Sequence, residues 1–300
     1  MTFSATDAAF EGFRVVRRKP MVLLWWAAFY LVSFFLIFMV AAGPIAGLMA
    51  AATDLENMGP GASPEDFEPL MMAYASILPL VVPLGILVGA VLSAAIARSV
   101  LEPGKSAFGY LRIGMDEVRV AVVSLVLAIL LWIAGAISFG IAAVVGGSLT
   151  TADVPAGWLI MIVLFLAAAA FMIWLSVRLS LAVPITVAEK KFAFFDSFKV
   201  TGGRMWSLIG MAVIAFVMTM VVGILTSIIF FPITMGLGAA VDWESLEGMN
   251  AMGILQAVGP MVFVAIVLQA ISSSLSAAVM YAPFSAAYRD LKGTGTPELA

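Results

Sequence analysis

Apolar residues in this chain gather into six long uncharged stretches, at residues 21–52, 70–97, 120–152, 154–177, 205–241 and 248–288. A bilayer core about 30 Å thick is crossed by roughly 20 apolar residues in a helix. Five of the six stretches clearly exceed that length. The alternation of apolar and polar residues that marks a membrane barrel is absent. The pattern therefore predicts an all-α polytopic membrane protein with six transmembrane helices. Stretches five and six are too long for one straight span each, which predicts broken or interfacial segments near Pro232 and Pro260. Pro44, Pro79, Pro83, Pro184 and Pro283 also lie in or near the stretches, and proline removes a helix hydrogen bond and bends the axis.

Composition agrees with the pattern. Sixty-three per cent of residues are hydrophobic and 11 per cent charged, whereas about a quarter of an average soluble chain is charged. Cysteine and histidine are both absent. That removes disulfides, thiolate chemistry, the commonest general base and the commonest transition-metal ligand. No cofactor is expected.

The charges are sorted along the chain. Basic segments hold Arg14, Arg17, Arg18 and Lys19; then Arg98, Lys105, Arg112 and Arg119; then Lys190, Lys191, Lys199 and Arg204; and finally Arg289 and Lys292. The loops between them hold Asp54, Glu56, Glu65, Asp66 and Glu68, then Asp153, then Asp242, Glu244 and Glu247, with no Lys or Arg. Short loops rich in Lys and Arg stay cytoplasmic. Both termini are thus expected inside a bacterial inner membrane, with the acidic loops outside. The first stretch is too long for the apolar core of a cleaved signal peptide, about 7–15 residues. It reads as an uncleaved signal-anchor helix, with a cut near residues 41–43 as the alternative. The loops are short, several of them rich in proline or glycine, as in Met58-Gly59-Pro60-Gly61. One membrane domain over residues 1–300, with no appended soluble module, is expected.

Three basic segments share a pattern. They read Ala9-Phe10-Glu11-Gly12-Phe13-Arg14, Ala107-Phe108-Gly109-Tyr110-Leu111-Arg112 and Phe194-Phe195-Asp196-Ser197-Phe198-Lys199. Each sets an aromatic residue, an apolar one three later and a cation next. Residues at i and i+3 share a helix face, and such short helices suit the lipid–water interface. The expected repeat is an interfacial helix followed by a hairpin, over residues 8–102, 106–188 and 193–290. Its units are parallel, unlike the inverted repeats common in secondary transporters. The alternative is that any basic linker beside a membrane has this composition.

Arg178 is the one cation outside the sorted segments. It either contacts an anionic headgroup or substrate inside the membrane, or ends the fourth helix and snorkels to the interface. Glu189 is its candidate neighbour. On one continuous helix the two would lie about 16 Å apart, so direct pairing needs a break. Gln269, Ser272, Ser273, Ser274 and Ser276 form a polar patch in stretch six. Interhelical hydrogen bonds explain it, and a polar cavity or lipid pathway is the sharper reading. Gly43 with Gly47, and Gly85 with Gly89, have spacings that permit close helix contact. No Asp, Glu or Lys lies within the stretches, which argues against proton coupling through intramembrane carboxylates. Gly104-Lys105-Ser106 lacks the upstream glycine of a phosphate-binding loop.

The stretch Val177-Arg178-Leu179-Ser180-Leu181-Ala182-Val183-Pro184, followed by Glu189 and by Ser197-Phe198-Lys199-Val200-Thr201-Gly202-Gly203-Arg204-Met205-Trp206, resembles a bacterial multi-pass family named after the membrane domain of glycerophosphoryl diester phosphodiesterase. The resemblance covers about 30 residues well. It implies a six-helix membrane module tied to lipids or the envelope. It implies no phosphodiesterase activity, because that reaction belongs to a separate soluble domain with histidines and acidic metal ligands. In this likeness Arg178, Pro184, Glu189, Ser197, Gly203 and Trp206 define the turn from helix four into helix five.

The sequence thus favours a non-catalytic integral membrane protein that binds lipid, partner membrane proteins or a second copy of itself. Its basic segments are expected to meet anionic headgroups on the cytoplasmic side rather than nucleic acid. The candidate contacts are Arg178, Glu189, Gln269 and Ser273. The alternative is a transporter or channel for a small or amphipathic molecule. A lipid-modifying enzyme ranks third and would draw on Asp116, Glu117 or Glu189.

Overall fold

A computed structural model describes residues 4–59, 63–104, 107–152, 154–242, 245 and 251–293. Pro60, Gly61, Lys105, Ser106, Asp153, Glu244 and Glu247 lie outside the described residues. The described chain is helical, with no strand. Two short helices, α1 (Ala5–Ala9) and α2 (Glu11–Arg18), precede the hairpin of α3 (Pro20–Met58) and α4 (Glu68–Leu101). The second hairpin is α5 (Met115–Thr151) with α6 (Gly157–Leu179). Two more short helices, α7 (Ala182–Glu189) and α8 (Asp196–Val200), lead to α9 (Met205–Ala239) and α10 (Ala251–Lys292). Six of these helices are long and apolar enough to cross a membrane, which makes the chain a multi-pass membrane protein. The 39 residues of α3 rise about 58 Å, so this helix tilts or projects well beyond the hydrocarbon layer.

The long helices do not break at their prolines. Helix α9 runs through Pro232 and α10 through Pro260 and Pro283. Stretches five and six are therefore single helices, contrary to the expectation from their length. Proline forfeits one backbone hydrogen bond, whereas a break within lipid would leave several peptide groups unpaired. The interruption lies instead between α6 and α7, at Ser180 and Leu181. There Pro184 sits in the first turn of α7, where a missing N–H costs least.

The helices pack tightest at the end that carries the basic segments. Burial is concentrated in the last turns of α4, from Leu92 to Val100, and in α7. It continues in the last third of α10, through Ala277, Ala278, Val279, Ala282, Ala286 and Ala287. Helix α10 is central, packing on α2, α3, α4 and α9. The large side chains of the opposite half, such as Met49, Met71 and Phe231, are exposed, as suits surfaces that face lipid.

Two of the three aromatic and basic segments are helical, in α2 and α8. The middle one is not the expected interfacial helix. Phe108, Gly109 and Tyr110 turn through left-handed backbone angles. Tyr110 is drawn inward, 1% exposed. Its hydroxyl donates to the Pro103 carbonyl (2.8 Å) and accepts from Lys19 Nζ (2.9 Å). Its own carbonyl accepts from Arg98 Nη1 at 3.2 Å. These fixed partners outweigh local helix preference.

Gly12 brings α2 against the backbone of α10. A Cβ there would lie 2.7 Å from Val279 Cα and would also strike the Ala278 carbonyl. Backbone cannot swing aside as a side chain can, so Gly12→Val is expected to lose about 1–3 kcal/mol by overpacking. Faster hydrogen exchange over residues 11–18 is the measurement. Wild-type protection in that variant would show that α2 does not depend on this contact.

Candidate functional site

The basic end of the bundle holds most of the charged contacts. The deepest is an ion pair that joins the end of α4 to the start of α5. Arg98 Nη2 lies 2.5 Å from Glu117 Oε1, with both side chains at least 93% buried. Nη2 and Oε1 make no aligned hydrogen bond, so the contact is an ion pair held by charge. Asp116 adds Oδ2 at 3.9 Å from Arg98 and takes a hydrogen bond from Arg119 at 2.7 Å. Asp116 and Glu117 occupy the first turn of α5, where the helix dipole favours negative charge. Arg98 was legible only as the first cation of a basic loop, and Asp116 and Glu117 only as carboxylates for lipid chemistry. The shared burial of Arg98 and Glu117 had no local signal.

Arg178 and Glu189 do not meet. Arg178 lies in the last turn of α6. Its Nη1 donates to the Phe198 carbonyl (3.3 Å) and to Thr201 Oγ1 (3.4 Å). Its guanidinium lies 5.8 Å from the centre of the Trp174 ring. Arg178 thus ties α6 to the end of α8. Arg178→Ala is expected to lose about 1–2 kcal/mol, the usual range for a hydrogen bond from a charged group when part-exposed. The check is faster hydrogen exchange at residues 196–204. Unaltered exchange there would remove Arg178 as the tie.

Glu189 ends α7 and serves three partners. Oε1 takes hydrogen bonds from Lys292 Nζ and from the Tyr288 hydroxyl, the latter at 3.0 Å. Oε2 meets Lys191 Nζ at 2.7 Å. Lys191 also reaches Asp196 at 3.1 Å. Its hydrogen bond to Glu189, then that to Asp196, raises the Lys191 pKa. Glu189 therefore clasps α7 to the last turn of α10. On the N-terminal helices the Arg14 hydrogen bond holds the Asp7 carboxyl below its ordinary pKa.

Gln269 and Ser273 pair with each other across one turn of α10, with Gln269 Nε2 donating to Ser273 Oγ at 3.2 Å. Gln269 is on an exposed face. This patch therefore sits apart from Arg178 and Glu189. The four candidate contacts fall in three places, not in one site.

A cavity that the sequence did not point to lies between α4, α5, α10 and the break from α6 to α7. Its volume is about 380 Å³. Ile86, Gly89, Val183, Pro184 and Phe284 supply apolar lining, and Ser93, Ser124, Ser180, Ser285 and Tyr281 supply hydroxyls. Ser180, Val183 and Pro184, at and just after the α6–α7 break, form part of its wall. Among the described residues no group of three or more acidic side chains is placed to hold a metal ion.

No curated protein and no solved structure matches the chain. The family that matches is uncharacterised, and nothing links it to the glycerophosphoryl diester phosphodiesterase membrane domain expected from residues 177–206. The chain belongs to the family described as "Domain of unknown function (DUF7847)", whose match spans residues 5–291 and so nearly the whole of it.

Proposed function

We propose that this chain is a non-catalytic integral membrane protein of the bacterial inner membrane, with both termini in the cytoplasm, whose basic end holds anionic lipid headgroups. One observation carries the reading. Arg17, Arg18, Arg112, Lys190 and Arg204 are exposed, and their side chains have no partner among the described residues. Exposed aromatic and aliphatic groups stand beside them: Phe108, Ile113 at 98%, Phe192, Phe195 and Trp206 at 80%. Aromatic rings settle at the headgroup level, and each nearby cation adds about 1 kcal/mol of attraction to an anionic leaflet.

The test uses the full chain in nanodiscs of equal anionic and zwitterionic phospholipid, with retained lipid read by mass spectrometry. Wild type is expected to enrich the anionic species. Replacing all five exposed cations with Gln is expected to return the ratio to that of the mixture. No enrichment in wild type, or full enrichment in the variant, would overturn the reading. Orientation has its own check, since a reporter inserted after Glu65 is expected to report the periplasmic side.

A further inference from the structure

We propose that the cavity between α4, α5, α10 and the α6–α7 break binds an uncharged glyceride, a lipid with a free hydroxyl and ester carbonyls but no phosphate. This site is separate from the headgroup surface and does not depend on it. Ser285 is 2% exposed and lines the cavity, and its hydroxyl makes no hydrogen bond among the described residues. That hydroxyl is not one of the sealed unpaired atoms, so it opens onto the cavity and takes its partner from there. The Ser124 and Tyr281 hydroxyls likewise make no hydrogen bond among the described residues and line the same space. Ser93 and Ser180 donate to the carbonyls of Ala90 and Val177, which leaves their oxygens able to accept.

Among the described residues no Asp, Glu, Lys or Arg borders the cavity, so a phosphate or carboxylate would be desolvated there without a counter-charge. A bare hydrocarbon chain would leave the Ser285 hydroxyl unsatisfied. Water alone fits poorly. At about 30 Å³ each, roughly a dozen molecules would fill the space, and each needs two to four polar partners, while the walls are mainly apolar. An occupant with a polar head and an apolar body meets both kinds of wall. The volume of about 380 Å³ falls in the usual range of small-molecule sites, about 300–1,000 Å³.

Tyr281, 45% exposed, forms part of the rim of the cavity.

The experiment uses the full chain in nanodiscs with a diacylglycerol that carries a photoactivatable acyl chain. Cross-links are mapped by mass spectrometry. Labelling is expected on α4, α5 and α10 around the cavity. Excess unlabelled diacylglycerol should suppress it, and phosphatidic acid with the same chains should not. Gly89 offers a filling variant, because a Cβ there meets open space. Gly89→Leu is expected to cut labelling at least tenfold without lowering the unfolding temperature. Ser285→Ala, which removes only the hydroxyl, is expected to cut it several-fold. Labelling that Gly89→Leu leaves intact, or that phosphatidic acid suppresses equally, would overturn the proposal. The variant lacking the five exposed cations should label as wild type, so this proposal and the headgroup reading can fail independently.

Discussion

Glu117→Ala is expected to destabilise the protein by about 3–5 kcal/mol, because it strands the buried guanidinium of Arg98 without its partner. Arg98 is 2% exposed and Glu117 6%. Asp116 remains at 3.9 Å, too far for a hydrogen bond, and is already engaged by Arg119. A charge pair buried this fully carries a large desolvation cost, so the pair itself need not stabilise the fold. That leads to a second expected outcome. Glu117→Leu combined with Arg98→Met should recover most of the loss, since neither charge then has to leave water. Equilibrium unfolding in mixed micelles measures both. Wild-type stability in Glu117→Ala would mean that water reaches Arg98 and that the pair is not desolvated.

Trp26→Ala is expected to cost about 3–5 kcal/mol, the usual range for emptying a buried aromatic site. Trp26 is fully buried, and its Nε1 donates to the Gly109 carbonyl at 2.8 Å. That bond fixes the left-handed turn at residues 108–110 against α3. Gly109 itself has φ +65°, and a Cβ there would lie 2.7 Å from Trp25 Cβ. The neighbouring Trp25, 42% exposed, provides the control. Trp25→Ala should cost less than half as much in the same assay, and equal losses would show that the pair acts only through bulk.

The six spans and the common end of the basic segments were legible because a bilayer imposes length and charge rules on the linear sequence. The paired interior was not. Trp25 and Trp26 are adjacent, identical and set in one apolar stretch, so nothing local says which of them is buried. Arg98 stood one residue past the end of stretch two and read as a loop cation. Only the arrival of α5, which sets Glu117 beside it, makes it an interior residue. Arg178 is isolated in the sequence, but its hydrogen-bond partners, the Phe198 carbonyl and Thr201, come from the end of α8. Glu189 was sought as a companion to Arg178, and the break at Ser180 turned it toward Lys292 instead. The cavity left no trace in the sequence, because its hydroxyls come from α4, α5, α10 and the α6–α7 junction. Residues this far apart in the chain share no periodicity. The polar run in stretch six was visible, yet its Gln269 and Ser273 satisfy one another on the outer face.

The contacts of α10 also set an order of assembly. Helix α2 is made before α3, but the backbone against which Gly12 fits belongs to α10, and Arg289 lies 3.8 Å from Glu11. Glu189 likewise waits for Tyr288 and Lys292. Before α10 is made the hairpins can enter the membrane one after another and α7 can pack on α4 and α5, but α2 lacks its seat on α10. The basic end can close only once α10 has left the ribosome. A chain stalled before that point would leave the Gly12 face of α2 and the Glu189 carboxylate without the partners that α10 supplies, so α10 is the keystone of the basic end.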